Sequence, residues 1–307
     1  MLRKFIKLIL LNKLRRNAVD VISIYDTFSN LMNITTGGNL LNFGYWDDDV
    51  NTPIEAQLKL TNIVGEFGRF INAKRILDLG SGYSIPAIKW LQDYPTTNIY
   101  CINLSYNQIK QGKNFPNQNQ FSYLHNLSAD SIMNLKTRLS HINSTSTFLA
   151  IQNNTMDRIV AFESAHHFRP FKDFITEARR ILTPSGLLVI AIPILLKKSH
   201  NKLLPLWEVK ELGILKITWA SEHYELGQIK SIIQNNGFKV DEIALIGSNV
   251  YQPLANYYIN NRNNLRKMIL NHYPNYLEAI IHRSMSKMKT ASEKGIIEYA
   301  LFRSIKR

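Results

Sequence analysis

The strongest constraint on this fold is a short apolar run that stops at two glycines and passes directly into a helical pattern. Residues 75–90 read RILDLGSGYSIPAIKW, with Gly80 and Gly82 after the apolar run and a proline at the start of the helical pattern. Glycine allows a sharp turn and a close approach to a ligand, and proline is favoured in the first turn of a helix. The pattern predicts a strand over 75–79, a tight turn, and a helix over 85–93.

Strand-like and helical patterns alternate along the next hundred residues. Further apolar runs predict strands at 98–104, 121–127, 157–162 and 186–192, and the patterns between them predict helices at 106–113 and 170–182. Such alternation predicts an α/β fold in which crossover helices join parallel strands. The polar stretch 140–155 is interpreted as a surface insertion. Because ligands bind at the carboxyl ends of the strands in such a sheet, we expect a ligand site beside Gly80 and Gly82.

The last third of the chain predicts an edge of the same sheet and a helical insertion. A helical pattern over 221–238 ends at Gly237, and strand patterns follow at 239–250 and 296–306. We expect these two strands to form an antiparallel pair, with the helical stretch at about 252–290 inserted between them as a cap. The predicted fold class is therefore α/β: a Rossmann-like, mostly parallel seven-stranded sheet with helices on both faces, an antiparallel last strand and a helical cap insertion.

The positive charge of the chain is concentrated at its two ends. The formal net charge is +14; residues 1–16 hold six Lys or Arg and no acid, and residues 261–307 hold ten against three Glu. The near-neutral middle argues against a basic groove, so nucleic acid is not expected as a partner. Residues 1–24 predict a basic amphipathic helix suited to peripheral contact with a membrane surface, although solvated surface charge or packing on the same chain gives the same pattern. Its apolar run is too short to span a bilayer.

Composition also limits the chemistry. Cys101 is the only cysteine, which excludes an intrachain disulfide and a cysteine zinc site and predicts a reducing, cytoplasmic location, with contact at a membrane surface left open. A hydrophobic content of 45% over 307 residues supports one large core. We therefore expect a single domain over residues 25–307, preceded by the basic helix.

Polar and small residues follow the predicted strands in a fixed order. The segments are DLGSG at 78–82, CINLSYNQ at 101–108, YLHNLSAD at 123–130, FESAHHF at 162–168 and LTPSG at 182–186. In this order they resemble the class I S-adenosylmethionine-dependent methyltransferases, over roughly residues 25–250. Leu-Ser-x-x-Gln at 104–108 is similar to the branch that contains natural-product sugar O-methyltransferases, sterol and tocopherol methyltransferases and cyclopropane-fatty-acid synthases. The resemblance implies that S-adenosylmethionine is the cofactor.

The resemblance also implies which residues bind the cofactor. It places the methionine part near Asp78, Gly80 and Gly82, the ribose near Asn103, Leu104 and Gln108, the adenine near Ala129 and Asp130, and an aromatic segment with Asn42 and Tyr45 over the cofactor. Tyr45 or Trp46 facing the sulfonium would contribute ~0.5–2 kcal/mol of cation–π attraction, although a packing role fits both equally. The family's third glycine is Ser84 here, and its ribose-binding acid is Asn103, which can still donate to and accept from a hydroxyl.

Two histidines follow the fourth predicted strand, where the resemblance places the methyl group. Imidazole titrates close to working pH, so His166 or His167 can accept the proton of a hydroxyl acceptor. We prefer His167 as the general base, although a histidine that only orients the loop fits the same position. Glu163 is the one carboxylate beside them in the sequence, and it either reaches the cofactor's ammonium group or caps the next element. No metal ion is expected.

The acceptor is predicted to be small and hydrophobic. The segments 193–220 and 252–290 are rich in Leu, Ile, Trp and Tyr, which suits a lipid, an isoprenoid, a polyketide or a glycosylated natural product. Methylation of an oxygen is the first expectation. C-methylation of a lipid or quinone-type acceptor stays open, and so does a protein of this fold that binds a membrane or a partner without turnover. An RNA methyltransferase has only the basic ends in its favour.

Overall fold

The computed structural model describes residues 18–37, 40–114, 128–196 and 224–307. Its contacts divide the chain into two compact units. The sheet unit comprises the described residues within 60–192, 227–244 and 301–307. The helical unit comprises residues 1–59, 193–226 and 245–300, so far as these lie within the described ranges.

Within the described ranges, seven strands form one sheet. They are β1 (Arg75–Leu79), β2 (Asn98–Asn103), β3 (Leu139–Asn143), β4 (Met156–Phe162), β5 (Leu182–Leu195), β6 (Phe238–Leu245) and β7 (Ile297–Lys306), in the order β3-β2-β1-β4-β5-β7-β6. The pairs β1–β2, β2–β3, β1–β4 and β4–β5 are parallel. β7 runs antiparallel to β6, because the N–H of Ile246 donates to the Tyr299 carbonyl while the N–H of Arg307 donates to the Gly237 carbonyl. This confirms the predicted Rossmann-like sheet with an antiparallel last strand.

Helices join most of these strands. The α-helices of the described ranges are α1 (Ala18–Thr36), α2 (Pro53–Phe67), α3 (Ile85–Asp93), α4 (Tyr106–Asn114), α5 (Ala129–Arg138), α6 (Phe171–Ile181), α7 (Leu226–Asn235), α8 (Tyr251–Asn260), α9 (Arg262–Leu270) and α10 (Asn275–Glu293). Short 3-10 turns lie at Phe70–Asn72, Ala165–His167 and Gly247–Asn249.

The centre of the sheet agrees with the sequence pattern because its strands are buried on both faces. β1 lies between β2 and β4, with Asp78 in register with Cys101 on one side and Val160 on the other. The side chains of Ile76 and Leu77 are fully buried. A strand covered on both faces gives a continuous apolar run, which is why β1 and the helix after it have the predicted bounds.

The third strand differs from the prediction. The predicted strand at 121–127 lies outside the described residues, and the strand that pairs with β2 is β3. The interpretation of 140–155 as a surface insertion is therefore wrong for the residues of β3. This strand is at the edge of the sheet and its side chains are only partly buried, so its polar sequence carries no apolar signal.

Other boundaries shift by a few residues. β5 begins immediately after α6, so LTPSG is the start of the strand, with Ser185 at a φ of 60°. The predicted strand over 239–250 ends as β6 at Leu245, and a 3-10 turn replaces its last part. Gly237 follows α7 at a φ of 82°, a conformation that glycine adopts without strain.

The predicted helical insertion at about 252–290 consists of α8, α9 and α10. Its core within the helical unit is apolar: Leu31, Tyr258, Leu265, Ile269 and Leu277 are buried together. Glu278 is 1% exposed and accepts hydrogen bonds from Arg262 Nε at 2.8 Å and Nη2 at 3.1 Å. This pairing lowers the pKa of Glu278, since the guanidinium favours the ionised carboxylate. The ion pair fixes α9 against α10.

Within the described ranges, no helix has both the length and the apolar character that crossing a bilayer requires. Residues 1–17 of the predicted basic helix over 1–24 lie outside the described ranges, so this helix stays a prediction.

Candidate functional site

The glycine turn after β1 is closed by hydrogen bonds to the neighbouring strand. The N–H groups of Gly80 and Ser81 both donate to the carbonyl of Ile102, at 2.8 and 3.1 Å. Gly80 has a φ of 77°, and a Cβ atom at this position would lie 2.4 Å from Cβ of Ser164. Both the backbone conformation and the space therefore require glycine at residue 80. Gly82, with a φ of 55°, completes the turn.

Ser84, which stands where the family has a third glycine, starts α3 in a left-handed conformation. Its φ is 61° and its side chain is fully buried. The Ser84 hydroxyl bonds to the hydroxyl of Ser81 at 3.2 Å, and the Ser84 N–H donates to the Ser81 carbonyl at 2.7 Å. These bonds hold a non-glycine residue in a conformation that costs roughly 1–2 kcal/mol.

Asp78 lies beneath the turn and is buried from solvent. Its side chain is 2% exposed, and loss of hydration raises the pKa of the carboxyl to about 7. Burial is the one cause of this raised pKa. A cationic group bound at this edge would favour the ionised form. The methionine part of S-adenosylmethionine carries an ammonium group and a sulfonium, so Asp78 and the close-approach turn fit this cofactor.

At the end of β2, Asn103 and Gln108 form a buried amide pair. Asn103 Nδ2 donates to the Gly82 carbonyl at 3.1 Å and to Gln108 Oε1 at 2.8 Å. Gln108 Nε2 is buried and has no hydrogen-bond partner among the described residues. An unsatisfied donor at this position fits a ligand that carries hydroxyl oxygens, such as a ribose. The neighbouring Leu104 is half-buried, and its carbonyl accepts from Asn143 Nδ2 at 2.9 Å.

The strand predicted before Ala129 and Asp130 lies outside the described residues, so their placement at the adenine stays a prediction. They form the first turn of α5, which precedes β3, and Asp130 is exposed. The residue that ends β3 is Asn143, whose amide donates to the carbonyls of Asn103 and Leu104. Sequence reasoning missed Asn143 because an edge strand of polar residues gives no pattern from which its end can be located.

The loop after β4 carries the carboxylate and the two histidines. Glu163 has a φ of 51°, and its N–H donates to the carbonyl of Ala191 in β5 at 2.9 Å. A 3-10 turn follows, in which the His167 N–H donates to the Ser164 carbonyl at 2.9 Å. His166 is buried, His167 is half-buried, and their ring centroids are 4.1 Å apart. Across the described residues, no group of three His, Cys, Asp or Glu side chains has the arrangement of a metal site.

The aromatic segment near residue 45 lies in the helical unit and is held there by side-chain amides. Gln57 is buried; its Nε2 donates to the Asn42 carbonyl at 2.9 Å, and its Oε1 accepts from the Leu40 N–H at 3.4 Å. Asn42 Oδ1 accepts from the Gly44 N–H at 2.9 Å. Tyr45 is half-buried, and its N–H donates to the Ala56 carbonyl at 2.9 Å.

Trp46 has a packing role within the same unit. Its ring is buried with its centroid 5.5 Å from that of Tyr257. The main chain of Trp46 exchanges two hydrogen bonds with Asn249, one to its carbonyl at 2.7 Å and one from its Nδ2 at 2.9 Å. Of the two aromatic residues predicted to face the sulfonium, Trp46 therefore packs within the helical unit, and Tyr45 stays a predicted cofactor contact. Gln57 was missed because a glutamine inside a helical pattern carries no signal of its own.

The structure brings most of the predicted residues together at one edge of the sheet unit. Asp78, Gly80, Gly82, Asn103, Gln108 and Glu163 lie at or just beyond the carboxyl ends of β1, β2 and β4, which are adjacent strands. This edge holds a glycine turn, a buried carboxylate and an amide pair, next to a loop with two imidazoles. This arrangement fits a nucleoside-cofactor site, and the two imidazoles stay the predicted candidates for a proton acceptor.

Comparison with known proteins agrees with this geometry. Residues 77–190 match the methyltransferase domain family, a range that starts in β1 and ends in β5. Together with the Rossmann-like sheet, this match identifies the chain as a class I S-adenosylmethionine-dependent methyltransferase. S-adenosylmethionine is its methyl donor.

Two curated enzymes and one solved structure illustrate the likeness. Erythromycin 3''-O-methyltransferase of Saccharopolyspora erythraea is 24% identical over 242 residues, which cover 76% of this chain and 73% of that enzyme. The 27-O-demethylrifamycin SV methyltransferase of Amycolatopsis mediterranei is 28% identical over 191 residues, 62% of this chain and 64% of that enzyme. Mycolic acid cyclopropane synthase CmaA1, solved with SAH and CTAB, superposes with a TM-score of 0.75 at 16% identity and covers 96% of this chain and all of its own. This last likeness shows the fold.

Proposed function

We propose that this methyltransferase transfers the methyl group to a hydroxyl oxygen of a small, largely hydrophobic natural product, either a polyketide or a glycosylated one. The names of the two curated relatives support this substrate class, since both refer to methylation of such compounds. The observation that carries the proposal is the contact between the loop of the two histidines and the glycine turn. Ser164 of that loop packs against Gly80, and this contact supports placing the histidines beside the proposed cofactor site.

Several residues of the sheet unit would hold the cofactor. Asp78 would face the positive charge of the methionine part, the turn at Gly80 and Gly82 would allow close approach, and Asn103, Leu104 and Gln108 would contact the ribose. The proposal keeps Glu163 for the ammonium group, Ala129 and Asp130 for the adenine, and Asn42 with Tyr45 as the covering segment. Bound S-adenosylmethionine supplies an electrophilic methyl group on a sulfonium. The protein has to align the acceptor and exclude water.

His167 is proposed as the general base for the acceptor hydroxyl. It is half-buried, whereas His166 is buried. A neutral imidazole at His167 would accept the hydroxyl proton as the oxygen attacks the methyl group, and the adjacent ring of His166, 4.1 Å away between centroids, would restrict its orientation.

The proposal is tested with S-adenosylmethionine that carries a deuterated methyl group and a panel of polyketide and glycosylated acceptors. Mass spectrometry of the products should locate the label on an oxygen. With the acceptor so found, His167→Gln should lower kcat by about 10²–10⁴-fold, the usual contribution of a general base, while the KM for S-adenosylmethionine changes little. The matched variant His166→Gln should retain more activity. A label on carbon would point to C-methylation, and near-normal kcat in both variants would remove the base assignment.

Peripheral membrane contact through the predicted basic helix at 1–24 is kept as a separate proposal. It rests only on the six cations of residues 1–16 and their amphipathic pattern. Sedimentation with anionic and neutral vesicles, for the full chain and for a variant without residues 1–16, would test it. Binding to anionic vesicles that the shortened variant loses is the expected result.

A further inference from the structure

Ser164 connects the end of β1 to the loop that carries the histidines. Its hydroxyl is buried and donates to the carbonyl of Leu79 at 2.5 Å. Leu79 is the last residue of β1 and directly precedes Gly80, so this bond ends at the residue immediately before the glycine turn. The hydroxyl therefore joins two loops that come from different strands.

The side chain of Ser164 also fills the space that glycine leaves at residue 80. An added Cβ at residue 80 would lie 2.4 Å from Cβ and 2.9 Å from Oγ of Ser164. Ser164 thus occupies the space that a side chain at residue 80 would need. A movement of the glycine turn has to move Ser164, because no free space separates them.

The main chain of Ser164 extends this connection to the histidines. Its carbonyl accepts the N–H of His167 at 2.9 Å. On its other side, Glu163 is held at a φ of 51° by the hydrogen bond from its N–H to Ala191. Residues held in such conformations persist only where their surroundings determine them, and they occur frequently at active sites. The loop is therefore fixed to β5 through Glu163 and to β1 through Ser164.

We propose that Ser164 is a positioning residue that couples the glycine turn to His166 and His167, so that occupancy of the cofactor site determines the position of the histidine rings. This inference rests on the proposed function, which assigns the cofactor to the turn and the proton acceptor to the loop. In this role Ser164 needs no contact with the reacting atoms or the acceptor. Its hydroxyl acts through Leu79 and its Cβ through Gly80.

A nuclear magnetic resonance experiment on the full chain, labelled with carbon-13 at the histidine ε1 position, tests the coupling without an acceptor. S-adenosylhomocysteine is the probe, and the variants His166→Gln and His167→Gln assign the two signals. In the wild type, both signals should shift when S-adenosylhomocysteine binds. In Ser164→Ala the shifts should fall to less than about half, and the Kd should rise about tenfold, because a buried carbonyl loses its donor.

Two further variants separate coupling from general destabilisation. Ser284→Ala is the matched control, since its buried hydroxyl donates to the Ile280 carbonyl at 2.7 Å inside α10. It should leave both the histidine shifts and the Kd unchanged. Ser164→Cys keeps the shape of the side chain with a weaker donor, so it should give intermediate values, and it serves as the test if Ser164→Ala does not fold.

The outcomes distinguish this inference from the proposed function. A wild-type protein that does not bind S-adenosylhomocysteine contradicts the proposed cofactor site. Binding in the wild type without movement of either histidine signal overturns the coupling alone. The coupling is also overturned if the ligand-induced shifts of the histidine signals in Ser164→Ala equal those of the wild type. The same holds if these shifts change no more in Ser164→Ala than in Ser284→Ala.

Discussion

The sheet unit and the helical unit hold their candidate site segments by different means. In the sheet unit, main-chain bonds position the glycine turn and the histidine loop: Gly80 and Ser81 donate to Ile102, and Glu163 donates to Ala191. In the helical unit, side-chain amides position residues 40–46: Gln57 bonds to Leu40 and Asn42, and Asn249 bonds to Trp46. A segment that is held by main-chain hydrogen bonds tolerates many side chains. A segment that is held by side-chain amides depends on each of those amides.

The consequence is a difference in how the two regions respond to substitution. At the sheet edge, the main-chain geometry should be most sensitive at positions with a special conformation or no room for a side chain, of which Gly80 is the clearest. In the helical unit, a single buried amide such as Gln57 serves several main-chain groups at once. Replacing it leaves several polar groups unsatisfied, each of which costs about 1–3 kcal/mol when buried.

The largest expected effect is at the glycine turn. Gly80→Arg should weaken binding of S-adenosylhomocysteine by about 100-fold or more, because the new side chain has no space beside Ser164 and the φ of 77° is strained for arginine. Isothermal titration calorimetry measures this loss. The matched control is Gly227→Arg in α7, where nothing lies within 4 Å of an added Cβ. Equal affinity in both variants would show that the turn does not contact the cofactor.

The next effect concerns Asp78, the buried carboxylate near the end of β1. Burial raises the pKa of Asp78 from 3.8 to about 7. Between these two pH values the carboxyl keeps its proton in the native state and loses it in the unfolded chain. In the free protein this group should therefore make folding less favourable as pH rises from about 4 to about 7. A bound cation favours the ionised carboxylate, so the affinity for S-adenosylmethionine should increase by up to about tenfold per pH unit until about pH 7.

Calorimetric titrations at several pH values measure this dependence. Asp78→Asn should bind S-adenosylmethionine more weakly at neutral pH and with an affinity that no longer varies with pH in this range. An identical pH profile in the wild type and in Asp78→Asn would show that another group titrates.

A smaller effect on binding, with a clear loss of stability, is expected in the helical unit. Gln57→Leu removes the partner of Leu40 and Asn42 and should lower the free energy of unfolding by about 2–4 kcal/mol. If residues 40–46 cover the cofactor, the Kd for S-adenosylhomocysteine should rise by about fivefold, which is about 1 kcal/mol. Urea unfolding and calorimetry give the two values. Gln92→Leu, at a half-buried position in α3, is the control; an equal loss of stability there would contradict the network account.

The smallest effect is expected at Ser84. Ser84→Gly relieves a left-handed conformation worth roughly 1–2 kcal/mol but gives up the hydrogen bond to Ser81, worth about 0.5–1.5 kcal/mol. The two terms nearly cancel, so the midpoint of urea unfolding should change little and binding should stay within about threefold. A large gain or loss in either would mean that the third position of the turn has a role beyond its conformation.

The fold could be predicted from the sequence wherever an element is buried on both sides. β1, β2 and β4 lie inside the sheet and appear in the sequence as apolar runs with nearly the bounds observed. β3 lies at the edge with partly exposed side chains, so a polar segment forms a strand that the apolar pattern does not reveal. The strand predicted over 239–250 extends beyond the end of β6 at Leu245, because the 3-10 turn at Gly247–Asn249 has no distinct sequence signal.

The site could be predicted where chemistry depends on residue type and sequence order. Glycines after β1 and histidines after β4 are visible in the sequence, because only certain residues suit a tight turn or proton transfer. The supporting residues Gln57, Asn143 and Ser164 could not be found in this way. Their roles arise from contacts between segments that are 15 to 85 residues apart, such as the bond from Ser164 to Leu79.

The most direct test of this account is a crystal structure of the protein with S-adenosylhomocysteine. The ligand should lie at the carboxyl edge of β1 and β2, with its amino acid part beside Asp78 and Gly80, its ribose at Asn103 and Gln108, and its sulfur directed toward the loop of His166 and His167. A ligand bound elsewhere, or a sulfur directed away from both histidines, would contradict the central claim that this sheet edge places the methyl group beside its proton acceptor.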